Sequence, residues 1–259
     1  MSAPAAAPAR VRPVRAPLPG VERICLTVGA VLIGAGLFHL LVFAVDGGPW
    51  YGPVSWRKPV TFGLSFGLTL MTVVRASALL PLGERLRAGL LAVFAADCVV
   101  EVGGITVQAW RHRPSHLDME TPVDTAVSMT LAVGGAVLVA VLGVMAVTSF
   151  RSNPRIAPSM RLALRAGSAS LLVGLASGAA MVARGAALVR GGHQQEAYHA
   201  IGYLKTVHAV SLHGILVLPA LAWLLGRLDW DETRRTRAVA LAATAWAAAV
   251  AGALAVSLW

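Results

Sequence analysis

Seven apolar runs in series leave this chain almost no alternative to crossing a membrane repeatedly. They cover roughly residues 24–45, 60–80, 88–108, 123–150, 166–183, 207–226 and 238–258. A helix rises about 1.5 Å per residue, so about 20 residues cross a hydrocarbon core about 30 Å thick. Each run is close to that length or longer. A soluble domain can bury one helix that is apolar all round, but not seven in succession. Composition agrees: 57% of the residues are hydrophobic and 13% are charged, with a mean hydropathy of +0.71. Lipid offers the backbone no hydrogen bonds, so each run must satisfy its own as a helix. The expected fold is all-α, a polytopic bundle of seven transmembrane helices.

The connecting segments then set the orientation. Taken alternately, they carry 15 of the 22 basic residues on one side and seven on the other, while the twelve acids divide five and seven. The whole formal excess of +10 therefore sits on one side. Basic residues concentrate in cytoplasmic loops, which places the N-terminus in the cytoplasm and the C-terminal Trp259 outside. The high pI is then a matter of topology and anionic headgroups, and does not imply nucleic acid as a partner. Residues 1–22 are rich in Ala, Pro and Arg and are expected to be a disordered basic cytoplasmic tail. Residues 23–259 form one seven-helix domain. The first run is too long for a signal-peptide core of about 7–15 residues, and no A-x-A-like cleavage pattern follows it, so it is read as a retained anchor. Cys25 and Cys98 lie within runs at different depths and form no C-x-x-C pattern, which suits packing residues rather than a disulfide or a haem attachment.

Small residues mark where helices meet closely. Gly63 and Gly67 are four apart in the second run, as are Gly174 and Gly178 in the fifth, the spacing that lets helix backbones approach in lipid. The fifth run is small almost throughout and is expected to lie centrally. Thr121, Pro122 and Asp124 suit the N-cap, N1 and N3 positions of the fourth helix. Trp50, Tyr51, Trp56, Trp110, Tyr203 and Trp259 fit an aromatic belt at the outer interface.

All seven histidines fall in the outer half. An ionisable side chain in a span costs about 2.5–3.5 kcal/mol on insertion scales, so it normally faces a partner or a wet cavity. From the helical rise, His39, Glu101 and His213 lie about 10, 13 and 12 Å below the outer boundary. Three ionisable groups on three helices thus share a layer, with His208 shallower and Asp97 deeper. Asp97, Glu101, Gly104 and Gln108 follow i, i+4, i+7, i+11 and form one stripe on the third helix. Such a stripe suits the lining of a cavity or proton path, or a set of interhelical hydrogen bonds. His208 and His213 are five apart, about 140° around a regular helix, so they face different neighbours unless Pro219 distorts the helix. The outer loops add Arg57 and Lys58, a basic pair at a helix start able to bind an anion, and a second stretch with His112 and His116.

The stretches GPWYGPVSWRKPVTFG (48–63), VQAWRHRPSHLD (107–118) and VHAVSLHGILVLP (207–219) resemble a family of uncharacterised multi-span membrane proteins common in actinobacteria. The resemblance runs over most of the membrane domain. It implies the multi-pass fold and the bacterial plasma membrane, and it implies no activity.

Three functional readings follow from the residues. The first is a redox protein binding haem b or a transition metal in the outer leaflet. There His39 and His213, or His208, would be axial ligands from facing helices, and Arg57 or Lys58 would pair the propionates. The second is a proton- or ion-coupled transporter built on Asp97, Glu101 and Gln108. A third, a zinc-dependent membrane hydrolase, lacks the H-x-x-x-H spacing. The non-catalytic alternative is a membrane assembly partner. The expected partners are the bilayer and a small-molecule ligand at the outer face, and His116 is counted among the site residues as part of the outer loop.

Overall fold

The computed structural model describes residues 20–259; the tail expected over 1–22 lies, for residues 1–19, outside the described residues. The described residues form eight helices: α1 (Val21–Asp46), α2 (Arg57–Ser77), α3 (Glu84–Trp110), α4 (Pro122–Ser149), α5 (Pro158–Arg190), α6 (Gln194–Ala200), α7 (Lys205–Leu225) and α8 (Glu232–Leu258). Seven of them are long and apolar enough to cross a membrane, and the protein is a multi-pass membrane protein. The eighth, α6, is a two-turn helix in the connection between α5 and α7. Its start follows a helix end that the sequence encodes: Gly192 adopts φ +81°, and the N–H groups of Gly192 and His193 return to Val189 O and Leu188 O. This is the glycine-terminated helix end that satisfies the last carbonyls.

The buried face of α1 shows how such a helix reads. Glu22, Cys25, Gly29, Leu32, Gly36 and His39 alternate by three and four residues, the seam of closely paired helices. The remaining faces carry Ile24, Val31, Leu41 and Val45, all exposed, as lipid-facing residues should be. Glycines bring α2 onto this seam. A Cβ at Gly63 would stand 2.8 Å from Gly36 Cα, and one at Gly67 would stand 2.5 Å from Gly29 O. The α5–α7 pair is equally close, since a Cβ at Gly167 would stand 2.9 Å from Gly214 O. Gly174 and Gly178 likewise meet Leu212 and His208 of α7, so both Gly-x-x-x-Gly pairs lie in helix contacts.

The bundle has two parts. One is α1, α2 and α3; the other is α5, α7 and α8; α4 bridges them by packing on α3 and α5. As its small residues predict, α5 touches α4, α6, α7 and α8. Polar ties close the end that charge assigns to the cytoplasm. Arg87 of α3 pairs with Glu22 of α1 and donates to Ser77 Oγ of α2 at 3.1 Å. The Ser159 N–H at the start of α5 donates to Glu232 Oε1 of α8 at 2.7 Å. Cys25 and Cys98 are both buried and free.

Candidate functional site

The stripe on α3 faces α4, with Asp97, Glu101 and Gln108 buried and Gly104 half-buried. Asp97 and Glu101 are only 7% and 3% exposed. They lie against Gly134, where a Cβ would stand 2.5 Å from Glu101 Oε1 and 2.9 Å from Asp97 Oδ1. One helix therefore supplies two carboxyl groups and the other a notch to receive them. Toward the end that charge assigns to the outside the roles reverse: α3 supplies the notch at Gly104, and Leu131 of α4 fills it, 2.8 Å from where a Cβ would be. One step further out, Gln108 Nε2 donates to Asp124 Oδ1 at 3.0 Å. The α4 side of this seam is Asp124, Ser128, Leu131 and Gly134, again spaced by three and four.

Above the seam the α3–α4 loop folds into a charged clasp. Helix α3 ends with His112 at φ +53°, and the N–H groups of His112 and Arg113 return to Ala109 O and Gln108 O, a helix end usually given to glycine. That turn aims Arg111 and Arg113 back at α4. Arg111 Nη1 lies 2.7 Å from Asp124 Oδ1 and also donates to Gln108 Oε1. Arg113 reaches Asp124 Oδ2 at 3.1 Å, Asp118 Oδ2 at 3.3 Å and Glu120 Oε2 at 2.6 Å. Thr121 and Pro122 cap α4 as expected: Thr121 Oγ1 accepts from the Asp124 N–H at 3.2 Å and donates to Asp124 Oδ2 at 2.6 Å.

Every acid of the clasp has a cation. The pair below it has none. Asp97 Oδ2 and Glu101 Oε1 are buried with no hydrogen-bond partner, and neither residue forms an ion pair among the described residues. A buried, unpaired carboxyl in lipid is costly and is the kind of group that function retains.

The histidines do not converge on this pair. His39 of α1 sits in an aromatic box, its Nδ1 2.7 Å from Ala35 O and its Nε2 accepting from Trp110 Nε1 at 3.1 Å. Its ring stacks on Trp56, 6.0 Å between centroids, and Trp56 in turn meets Trp110 edge-on. Both ring nitrogens are thus engaged within the protein. His208 of α7 fits the notch at Gly178 and places Nδ1 2.8 Å from Gly174 O of α5. His213 is exposed, with Nδ1 2.6 Å from Ala209 O of its own helix. Helix α7 runs unbroken through Pro219, so the two histidines face apart as regular geometry requires. Among the described residues, no group of three or more His, Cys, Asp or Glu is placed to hold a metal ion. A cavity of about 30 Å³ lies at the opposite end, around Ser77, Met145 and Leu164, and contains none of these groups.

At the outer start of α2, Lys58 Nζ donates to Pro53 O at 2.6 Å and to Ser115 Oγ at 3.3 Å. Ser115 Oγ in turn lies 2.9 Å from His116 Nδ1. Burial, and then the Lys58 charge, push the His116 imidazole down to about 4. His116 is therefore neutral near pH 7, and its ring lies 6.2 Å from that of Phe62.

Sequence reading found Asp97, Glu101 and Gln108, but missed Gly134 and the two arginines of the clasp. Gly134 lies in the run Ala132–Val137, where small residues face several ways, so nothing marks it out. Asp124 reads locally as a cap residue, and its partners become visible only when the loop turns back. No protein-family model, curated protein or solved structure matches the chain.

Proposed function

We propose that this protein takes up and releases a proton or small cation at the Asp97–Glu101 pair, as a proton- or ion-coupled transporter of the bacterial plasma membrane. The observation that carries this reading is the contrast between two buried carboxyls left unpaired and a clasp, one layer out, in which every acid is paired. Two like charges one turn apart in a low dielectric need a compensating charge. A proton or cation is the smallest species that supplies one.

The route between the pair and the outside gives the reading its mechanism. Glu101 and Gln108 are seven residues apart, a rise of about 10 Å. Leu131 stands between them in the Gly104 notch. A proton leaving Glu101 outward must pass this plug before it meets the Gln108 amide and the Asp124 carboxylate. Water admitted by a small displacement of α4 against α3 would carry it. Gly134 allows that displacement to alter the surroundings of both carboxyls together.

The test uses the full-length protein in proteoliposomes loaded with a pH-sensitive dye, with infrared titration of the carboxyl band on the same samples. Glu101→Gln should abolish pH-gradient-driven flux, and Asp97→Asn should slow it about a hundredfold or more, the loss expected for one general acid–base group. Each variant should also remove carboxyl intensity from the titration. Flux and titration unchanged in both variants would reject the reading. The infrared titration needs no knowledge of a co-transported substrate, because protonation of the two carboxyls is read directly.

A further inference from the structure

A second uncompensated group lies at the outer surface, independent of the carboxyl pair. Arg57 and Lys58 open α2, and Lys205 opens α7, which touches α2 in a small contact. The charges that act on Lys58 are those of Lys205 and Arg57, all of one sign. None of the three cations forms an ion pair among the described residues. The acids of the neighbouring clasp, Asp118, Glu120 and Asp124, are engaged by Arg111 and Arg113, so they do not supply the missing charge.

The donors at this place are also underused. Lys58 Nζ satisfies two of its three N–H groups, on Pro53 O and Ser115 Oγ. Arg57 Nε is buried and has no acceptor. Ser55, two residues before Arg57 and 3% exposed, has a buried hydroxyl with no partner. Two helices begin here as well, each bringing the positive end of its dipole. His116 is neutral and adds no cation. The local charge is then three positive units with no acid against them, and half-buried ammonium and guanidinium groups are costly without a counter-ion.

We propose that the outer ends of α2 and α7 form a binding site for a phosphate group, held by Arg57, Lys58 and Lys205. Free phosphate or a phosphate monoester carries about −1.5 to −2 charge with three acceptor oxygens, and a lipid phosphodiester carries one negative charge over two free oxygens, so either offers this donor set a compact anion with more than one acceptor. Arg57 supplies paired planar donors, and the lysines act as point charges. The site lies in the layer of the aromatic belt, where a phosphate can arrive either as a lipid headgroup of the outer leaflet or as a free anion.

Two measurements on the full-length protein distinguish these sources. In detergent, inorganic phosphate is titrated calorimetrically. In nanodiscs of mixed phosphatidylglycerol and phosphatidylcholine, retained lipid is read by native mass spectrometry. Lys205 is exposed, so Lys205→Gln keeps the fold. Saturable phosphate binding that weakens at least about tenfold in Lys205→Gln, the effect of losing one charged contact, assigns a free anion. Preferential retention of phosphatidylglycerol that falls in Lys205→Gln assigns a headgroup. Lys205→Arg should keep whichever binding is found. A wild-type protein that shows neither, or a Lys205→Gln variant that matches it in both measurements, overturns the proposal.

Discussion

A methyl group added at Gly134 would stand 2.5 Å from Glu101 Oε1, closer than any real contact, while one added at the adjacent Gly135 would meet nothing within 4 Å. The two neighbours therefore separate a site effect from a general helix effect. Gly134→Val must push both carboxyls aside, at an overpacking cost of about 1–3 kcal/mol, and should abolish proton flux. Gly135→Ala should leave flux and thermal stability at the wild-type level. Equal flux from both variants would show that the notch does not matter. His116 offers a second test, in pH. Its imidazole is held down to about 4 from an ordinary 6.5 by burial and by Lys58. The unfolded chain therefore binds a proton below about pH 6.5 that the folded protein refuses until about pH 4. Stability should fall as pH drops through this window and should be insensitive to His116 above it. Thermal unfolding of wild type and His116→Gln should run parallel above pH 6.5 and diverge below, with the wild type losing more. Parallel curves throughout would remove His116 from the account.

At the level of the helix, close approach is the controlling device. In lipid there is no hydrophobic gain from joining two apolar helices, so contact area and backbone proximity decide which faces meet. Gly67 lies 2.5 Å, measured from a hypothetical Cβ, from the Gly29 carbonyl oxygen, a backbone atom that cannot rotate away. Gly34, on the other face of α1, has nothing within 4 Å. Gly67→Ala should part α1 from α2 and lower the unfolding temperature in detergent, at about 1–3 kcal/mol. Gly34→Ala should be neutral, or slightly stabilising through helix propensity. Similar effects from the two would mean that the α1–α2 seam contributes little. The same seam explains His39. It occupies the outermost position of the α1 stripe, and α2 and α3 bring Trp56 and Trp110 to it. The redox reading draws no support from this arrangement, because both imidazole nitrogens already have partners.

Across the whole molecule, charge and helix count together predict an orientation that can be tested directly. Tyr51 and Arg155 are both exposed, at opposite ends of the bundle, and the native cysteines are buried. A membrane-impermeant maleimide should label Tyr51→Cys in intact cells and Arg155→Cys only after the membrane is broken. The reverse pattern would invert the topology, and with it the side from which the carboxyl pair and the phosphate site are reached. Helix α8 buries only Val239 and Ala253 and packs on α5 and α7, so most of its surface meets lipid. The functional elements named here all lie on the other helices, around α3, α4 and the outer ends of α2 and α7.

The seven spans, their approximate limits, the two Gly-x-x-x-Gly contacts and the α3 stripe were legible in the sequence, because each depends on local periodicity and on the length of chain that lipid requires. Asp97, Glu101 and Gln108 could be placed on one face from spacing alone. What that face meets could not. The tertiary structure decided that the stripe turns toward α4 rather than toward His39 or His213, because Gly134 and Gly104 let α3 and α4 interlock there. It also decided that the loop arginines return to neutralise Asp118, Glu120 and Asp124 while the carboxyls beneath them go without. Depth along a helix follows from residue counting, but direction around the bundle follows from which helices can approach, and that is a property of pairs of segments far apart in the chain.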